Sequence, residues 1–231
     1  MAMQSFFIKQ YLGYALAIIR STTSVLWYLV LIGLSSALIV LLKDSAIFWP
    51  LNSAITVLSI VATPVIYGIY FELIEDTYSS IGSIIKRYLL NYLWLLFRMY
   101  VPVVFLAGLP MLLSAGSGSG YFETIIVCFS LLYMYVIPTY YHSGQQRGAI
   151  SAGISFLLKN FSSSTPLILA VLLLETAVLV LQHNKSLLLE SGGLVYIGLD
   201  FAFFMVASII DFALFIVLVY ILKNTAIPTQ D

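Results

Sequence analysis

Residues Leu194 to Leu222 read LVYIGLDFAFFMVASIIDFALFIVLVYIL, 29 residues interrupted by only two charges, Asp200 and Asp211. A helix rising about 1.5 Å per residue crosses a hydrocarbon layer of about 30 Å in roughly 20 apolar residues, so this stretch can span a membrane. In lipid, backbone polar groups must be satisfied inside a helix or a closed barrel. Barrel strands alternate apolar and polar residues, and this run does not alternate. Working outward, five more stretches have the same character: Ser24 to Leu42, Phe48 to Tyr70, Leu89 to Leu113, Tyr121 to Tyr141 and Thr165 to Leu181. The predicted fold is all-α, a polytopic membrane protein with six transmembrane helices.

Composition agrees. Of 231 residues, 61 % are hydrophobic and 9 % charged, and the mean hydropathy is +1.05. A soluble domain carries about 25 % charged residues, so this chain has too little charge to solvate a globule of its size. Ten basic and ten acidic side chains balance to zero net charge. No basic face is offered to nucleic acid. The single cysteine, Cys128, excludes an intramolecular disulfide.

Residues 1–23 precede the first span and are aromatic-rich, with Phe6, Phe7, Tyr11, Tyr14, Ile18 and Ile19 among them. They read as an amphipathic helix along the membrane surface, which keeps Lys9 and Arg20 at the interface. The rival reading starts the first span early and runs it straight on. The first apolar run is too long for a signal-peptide core and leads to Lys43-Asp44 with no small-residue cleavage site. Residues 24–231 form the six-helix bundle. A faint duplication links residues 48–113 with 121–182, through Tyr88-Leu89-Leu90-Asn91-Tyr92 and Phe156-Leu157-Leu158-Lys159-Asn160-Phe161, each following a span with a proline in its inner half, Pro64 or Pro138.

Lysine and arginine in short loops set orientation. With the N-terminus cytoplasmic, Lys9, Arg20, Lys86, Arg87, Arg147, Lys159 and Lys223 fall inside, and only Lys43 and Lys185 outside. Both termini are then cytoplasmic. Tyr67, Tyr70, Tyr88, Tyr92, Tyr140 and Tyr141 fit an inner interfacial belt, and Phe48, Trp49 and Tyr121 an outer one.

The sequence argues against catalysis. His142 and His183 fall at opposite faces in this topology, so they cannot ligate one haem. No H-E-x-x-H, G-x-S-x-G or G-x-x-x-x-G-K-[ST] pattern occurs. No catalytic residue, metal or cofactor is expected. Four charges lie within spans: Arg98, Glu175, Asp200 and Asp211. Arg98, Glu175 and Asp211 come out about 14 Å, 15 Å and 17 Å from the inner ends of their spans. Such groups are costly in lipid and tend to pair or to line a pathway. Arg98 is therefore expected to contact Glu175 or Asp211, either as a structural bridge or as part of a polar track.

The outer loops are short, and Ser114 to Gly120 is little more than serine and glycine. A partner surface is therefore expected on the cytoplasmic side, from Glu72, Glu75, Asp76, Lys86 and Arg87 in one loop and Gln145, Gln146, Arg147 and Lys159 in another. The three acids read as a solvated patch at a helix end.

The second inner loop, with Ile137-Pro138-Thr139-Tyr140-Tyr141, Gly148-Ala149-Ile150 and Ser155-Phe156-Leu157-Leu158-Lys159-Asn160, resembles bacterial six-helix membrane proteins similar to the membrane domain attached to some glycerophosphodiester phosphodiesterases. Their layout is a proline-bearing span, a short loop helix and a further span, used twice. This chain lacks the phosphodiesterase domain and has Gln145-Gln146 where a nearby glutamate belongs. A second resemblance is to permease subunits of ABC-type exporters, which present a short helix between spans two and three to a separate ATPase; Glu72 to Arg87 matches that position. The resemblances imply a bacterial cytoplasmic (inner) membrane and a non-enzymatic subunit that works with partner proteins in transport or export. The alternative is an accessory or assembly scaffold of a larger membrane complex that moves nothing.

Overall fold

A computed structural model of the chain describes residues 2–42, 45–113, 119–144, 148–183 and 193–225. These residues are almost wholly helical, and no strand occurs among them. The helices are α1 (Ala2–Ser21), α2 (Thr23–Ile39), α3 (Phe48–Ile74), α4 (Ile81–Ile84), α5 (Leu90–Leu113), α6 (Ser119–Tyr133), α7 (Val136–Ser143), α8 (Ala149–Lys159), α9 (Phe161–His183) and α10 (Gly193–Thr225). A tight turn, Val40–Leu42, follows α2, and a widened helical turn, Ile85–Leu89, leads from α4 into α5.

By length and composition, three described helical segments can cross a membrane: Phe48–Ile74, Ile81–Leu106 and Ile197–Thr225. Two bent pairs bring the number to five if each is one span. The first pair joins α1 to α2 through a 79° bend, the second α8 to α9 through 109°. The surface also suits lipid. On α2, Trp27, Leu31, Leu34 and Leu38 recur at helical spacing and are all exposed. Leu90, Trp94 and Phe97 make a similar exposed row on α5. Water would penalise contiguous apolar rows of this kind.

The expected span Tyr121 to Tyr141 is two helices, α6 and α7, separated at Met134 and Tyr135. Pro138 supplies the reason. A continuous helix would need a donor at residue 138 for the Met134 carbonyl, and proline has none. Restarting at Val136 puts Pro138 in the first turn of α7, where an N–H has no intrahelical partner in any case. The bend between α1 and α2 falls at Thr22, whose hydroxyl lies 3.1 Å and 3.0 Å from the Ile18 and Ile19 carbonyls at the end of α1.

Two compact units are distinguished, Met1–Ile84 with Leu181–Val217, and Ile85–Val180 with Leu218–Asp231. In the first, α2 meets α10 at Gly33, where an added Cβ would lie 2.7 Å from Phe204 Cδ1 and 3.1 Å from Phe201 Cδ2. Ala37, Ile197 and Phe201 continue that contact. In the second, α7 and α8 pack closely. A Cβ at Gly153 would come within 2.7 Å of Val136 Cα and 2.8 Å of its nitrogen, so only glycine lets these backbones approach. The connection between them uses left-handed glycines at both ends, Gly144 (φ 65°) and Gly148 (φ 96°).

Candidate functional site: a carboxylate and buried tyrosines

Asp211 sits in the last apolar run, flanked by Ile209, Ile210 and Phe212. The Tyr67 hydroxyl of α3 donates to its Oδ2 at 2.5 Å, at the short end of O–H···O hydrogen bonds. Tyr67 is held for that role by its ring. It packs 4.3 Å from Phe215 and edge-on to Phe212 at 5.7 Å, centroid to centroid, and Phe212 also meets Tyr70 at 5.5 Å. Tyr67 and Tyr70 are 5 % and 0 % exposed, whereas Asp211 lies at the exposed surface of its unit. The arrangement presents a carboxylate on an aromatic floor, able to hold a proton or to face a cation.

The second unit has its own tyrosine cluster. Tyr88, Tyr92, Tyr135, Tyr140 and Tyr141 are all buried. The Tyr140 hydroxyl donates to the Tyr88 carbonyl at 3.1 Å, and the Tyr135 and Ser164 hydroxyls share a hydrogen bond of 2.9 Å. Tyr141 packs 4.7 Å from Tyr88 and 5.1 Å from Tyr140. Six tyrosines read as an inner interfacial belt, Tyr67, Tyr70, Tyr88, Tyr92, Tyr140 and Tyr141, are therefore inside the two units. Helical spacing was the available signal: Tyr67 and Tyr70 are three apart, Tyr88 and Tyr92 four apart, so each pair shares one face.

The expected acidic docking patch also changes. Glu72 is 4 % exposed, and its Oε2 accepts the Ser79 backbone N–H at 2.8 Å. Its carbonyl accepts the Thr77 N–H at 2.8 Å, with Asp76 in the left-handed conformation at φ 53°, so α3 ends in a Schellman-type turn. The Ser79 amide offsets part of the cost of burying this carboxylate, so Glu72 belongs to the turn and not to a solvated patch. Glu75 is half-buried, while Asp76, Lys86 and Arg87 are exposed. The Arg87 guanidinium lies 5.8 Å from the Tyr88 ring centroid. Lys159 is exposed at the end of α8. Gln145, Gln146 and Arg147 lie outside the described residues.

Of the other intramembrane charges, Arg98 is exposed on α5 and Asp200 half-buried on α10. The Glu175 side chain lies outside the described ones. No group of three His, Cys, Asp or Glu side chains suited to a metal occurs among the described residues. Set against known protein families, curated proteins and solved structures, the chain matches none.

Proposed function

We propose that the chain is a non-enzymatic, multi-pass membrane subunit that acts with partner proteins in transport or export. In this reading six segments span the membrane, both termini are cytoplasmic, and α1 lies along the inner surface of a bacterial cytoplasmic membrane. The observation that carries the reading is the Tyr67–Asp211 pair. An apolar side chain at position 211 would be cheaper in lipid than a carboxylate, so a carboxylate supplied with its own hydroxyl donor indicates a functional charge. The 79° bend at Thr22 supports a surface-lying α1. The exposed Lys86 and Arg87, in the turn before α5, support a polar docking surface for a cytoplasmic partner.

A second reading, a scaffold subunit that moves nothing, draws on the tyrosine cluster of α5, α7 and the turn before α5, which fastens helices without lining a path. Affinity purification in mild detergent separates the two. Transport or export predicts an ATPase or another energy-coupling protein recovered with the chain, and an Asp211→Asn variant that keeps its partners but loses the transport phenotype. Recovery of a large complex without any such protein, with Asp211→Asn fully active, contradicts transport.

A further inference from the structure

We propose that the outward face of α8 binds an anionic phospholipid at the membrane surface, and this holds for either role given above. Two faces of α8 can be told apart. Ala149, Gly153 and Leu157 are buried, and the contact of Gly153 with the Val136 backbone fixes the rotation of the helix about its axis. The remaining surface is therefore set by the fold and not by side-chain adjustment. It forms an open groove lined by Ser151, Ile154, Ser155, Leu158 and Lys159.

The groove combines two chemistries. Leu158 is 66 % exposed and Phe161, just beyond it, 57 %, an apolar pair that needs an acyl environment. Beside it stand the Lys159 ammonium and the Ser155 hydroxyl; the Ser151 hydroxyl donates to the Gly148 carbonyl at 3.0 Å. Orientation selects a lipid as occupant. α8 meets the apolar α9 at 109°, so where α9 crosses the bilayer α8 lies in its plane, at the depth where headgroups and first methylenes meet. Charge selects an anionic one. From Thr124 to Leu174 the sequence contains no aspartate or glutamate, while His142, Arg147 and Lys159 fall within it. No acid of α8 or of the start of α9 competes with a phosphodiester for Lys159.

The test is native mass spectrometry of the full chain in neutral detergent, titrated with phosphatidylglycerol or phosphatidylcholine of the same acyl chains. The wild type should retain phosphatidylglycerol about fivefold better, the ratio expected of one lysine at an anionic headgroup. Lys159→Gln should reduce this to parity, Lys159→Arg should preserve it, and Lys86→Gln, a basic residue in the turn before α5, should leave it unchanged. Lys159 is exposed, and circular dichroism of each variant checks that its helices are intact. Equal retention of the two lipids by the wild type, or an undiminished preference in Lys159→Gln, overturns the proposal. Displacement of the bound lipid by an equal concentration of glycerol 3-phosphate also overturns it, by showing a site for a soluble phosphate.

Discussion

Two glycines and one hydroxyl carry the sharpest consequences at the scale of single residues. Alanine is intrinsically better than glycine in a helix by about 0.8–1.0 kcal/mol, so Gly153→Ala would stabilise α8 were there room. The added methyl instead meets the Val136 backbone at 2.7–2.8 Å, and backbone cannot turn aside. The expected net loss is about 1–3 kcal/mol, measured by reversible unfolding in mixed micelles. At Gly33 the obstruction is the ring edges of Phe204 and Phe201, which can tilt, so Gly33→Ala should cost clearly less than Gly153→Ala. A reversed order would mean that α7 and α8 are not packed as described. Tyr67→Phe removes the hydroxyl that reaches Asp211 and keeps the ring stacking. Polar pairs between helices in lipid contribute on average about 0.6 kcal/mol and at most about 1.7. A double-mutant cycle of Tyr67→Phe with Asp211→Asn should return a coupling within that range, and a coupling of zero would remove the pair from the site.

At the scale of elements, the apolar runs show where helices lie because lipid-spanning length and absence of charge are properties of consecutive residues. Phe48, Leu89 and Leu194 as expected starts correspond to α3, α5 and α10 beginning at Phe48, Leu90 and Gly193. The segment 1–23 expected ahead of the first span corresponds to α1, which ends at a bend at Thr22. What the sequence hid depends on neighbours that are distant along the chain. The spacing of Tyr67 and Tyr70 puts them on one helix face, but only Phe212 and Phe215, more than 140 residues later, make that face a packed one and not a belt. Likewise Glu72 reads as a surface acid until the turn at Asp76 brings the Ser79 amide back to it. Glu72→Ala should therefore loosen the link from α3 to α4, seen as faster amide exchange at Ser79 with little change at the middle of α3; unchanged exchange at Ser79 would show that the carboxylate does not hold the turn. For the charges within the spans, the sequence reading pairs Arg98 with Glu175 or Asp211. Arg98→Leu alone should leave the acid uncompensated and lower stability, and adding Glu175→Leu should restore much of the loss. If the double variant is no more stable than Arg98→Leu, the two charges are independent.

At the scale of the whole molecule, the account rests on the chain crossing the membrane repeatedly with its polar loops on one side. Composition excludes a solvated globule, and the exposed rows of Trp27, Leu31, Leu34 and Leu38, and of Leu90, Trp94 and Phe97, give that composition a surface that needs lipid. The described helices provide three to five candidate spans. Six requires α6 with α7 to cross as one broken span and α9 to cross while α8 stays at the surface. It also requires α2 to cross alone, with α1 lying flat. A set of reporter fusions decides among these arrangements directly. With enzymes active on only one side of the membrane joined after Lys43, Arg87, Gly118, Lys159 and Lys185, the account predicts outside, inside, outside, inside and outside in that order. An inside reading at Lys43, Gly118 or Lys185, or an outside reading at Arg87 or Lys159, would contradict six spans with both termini cytoplasmic.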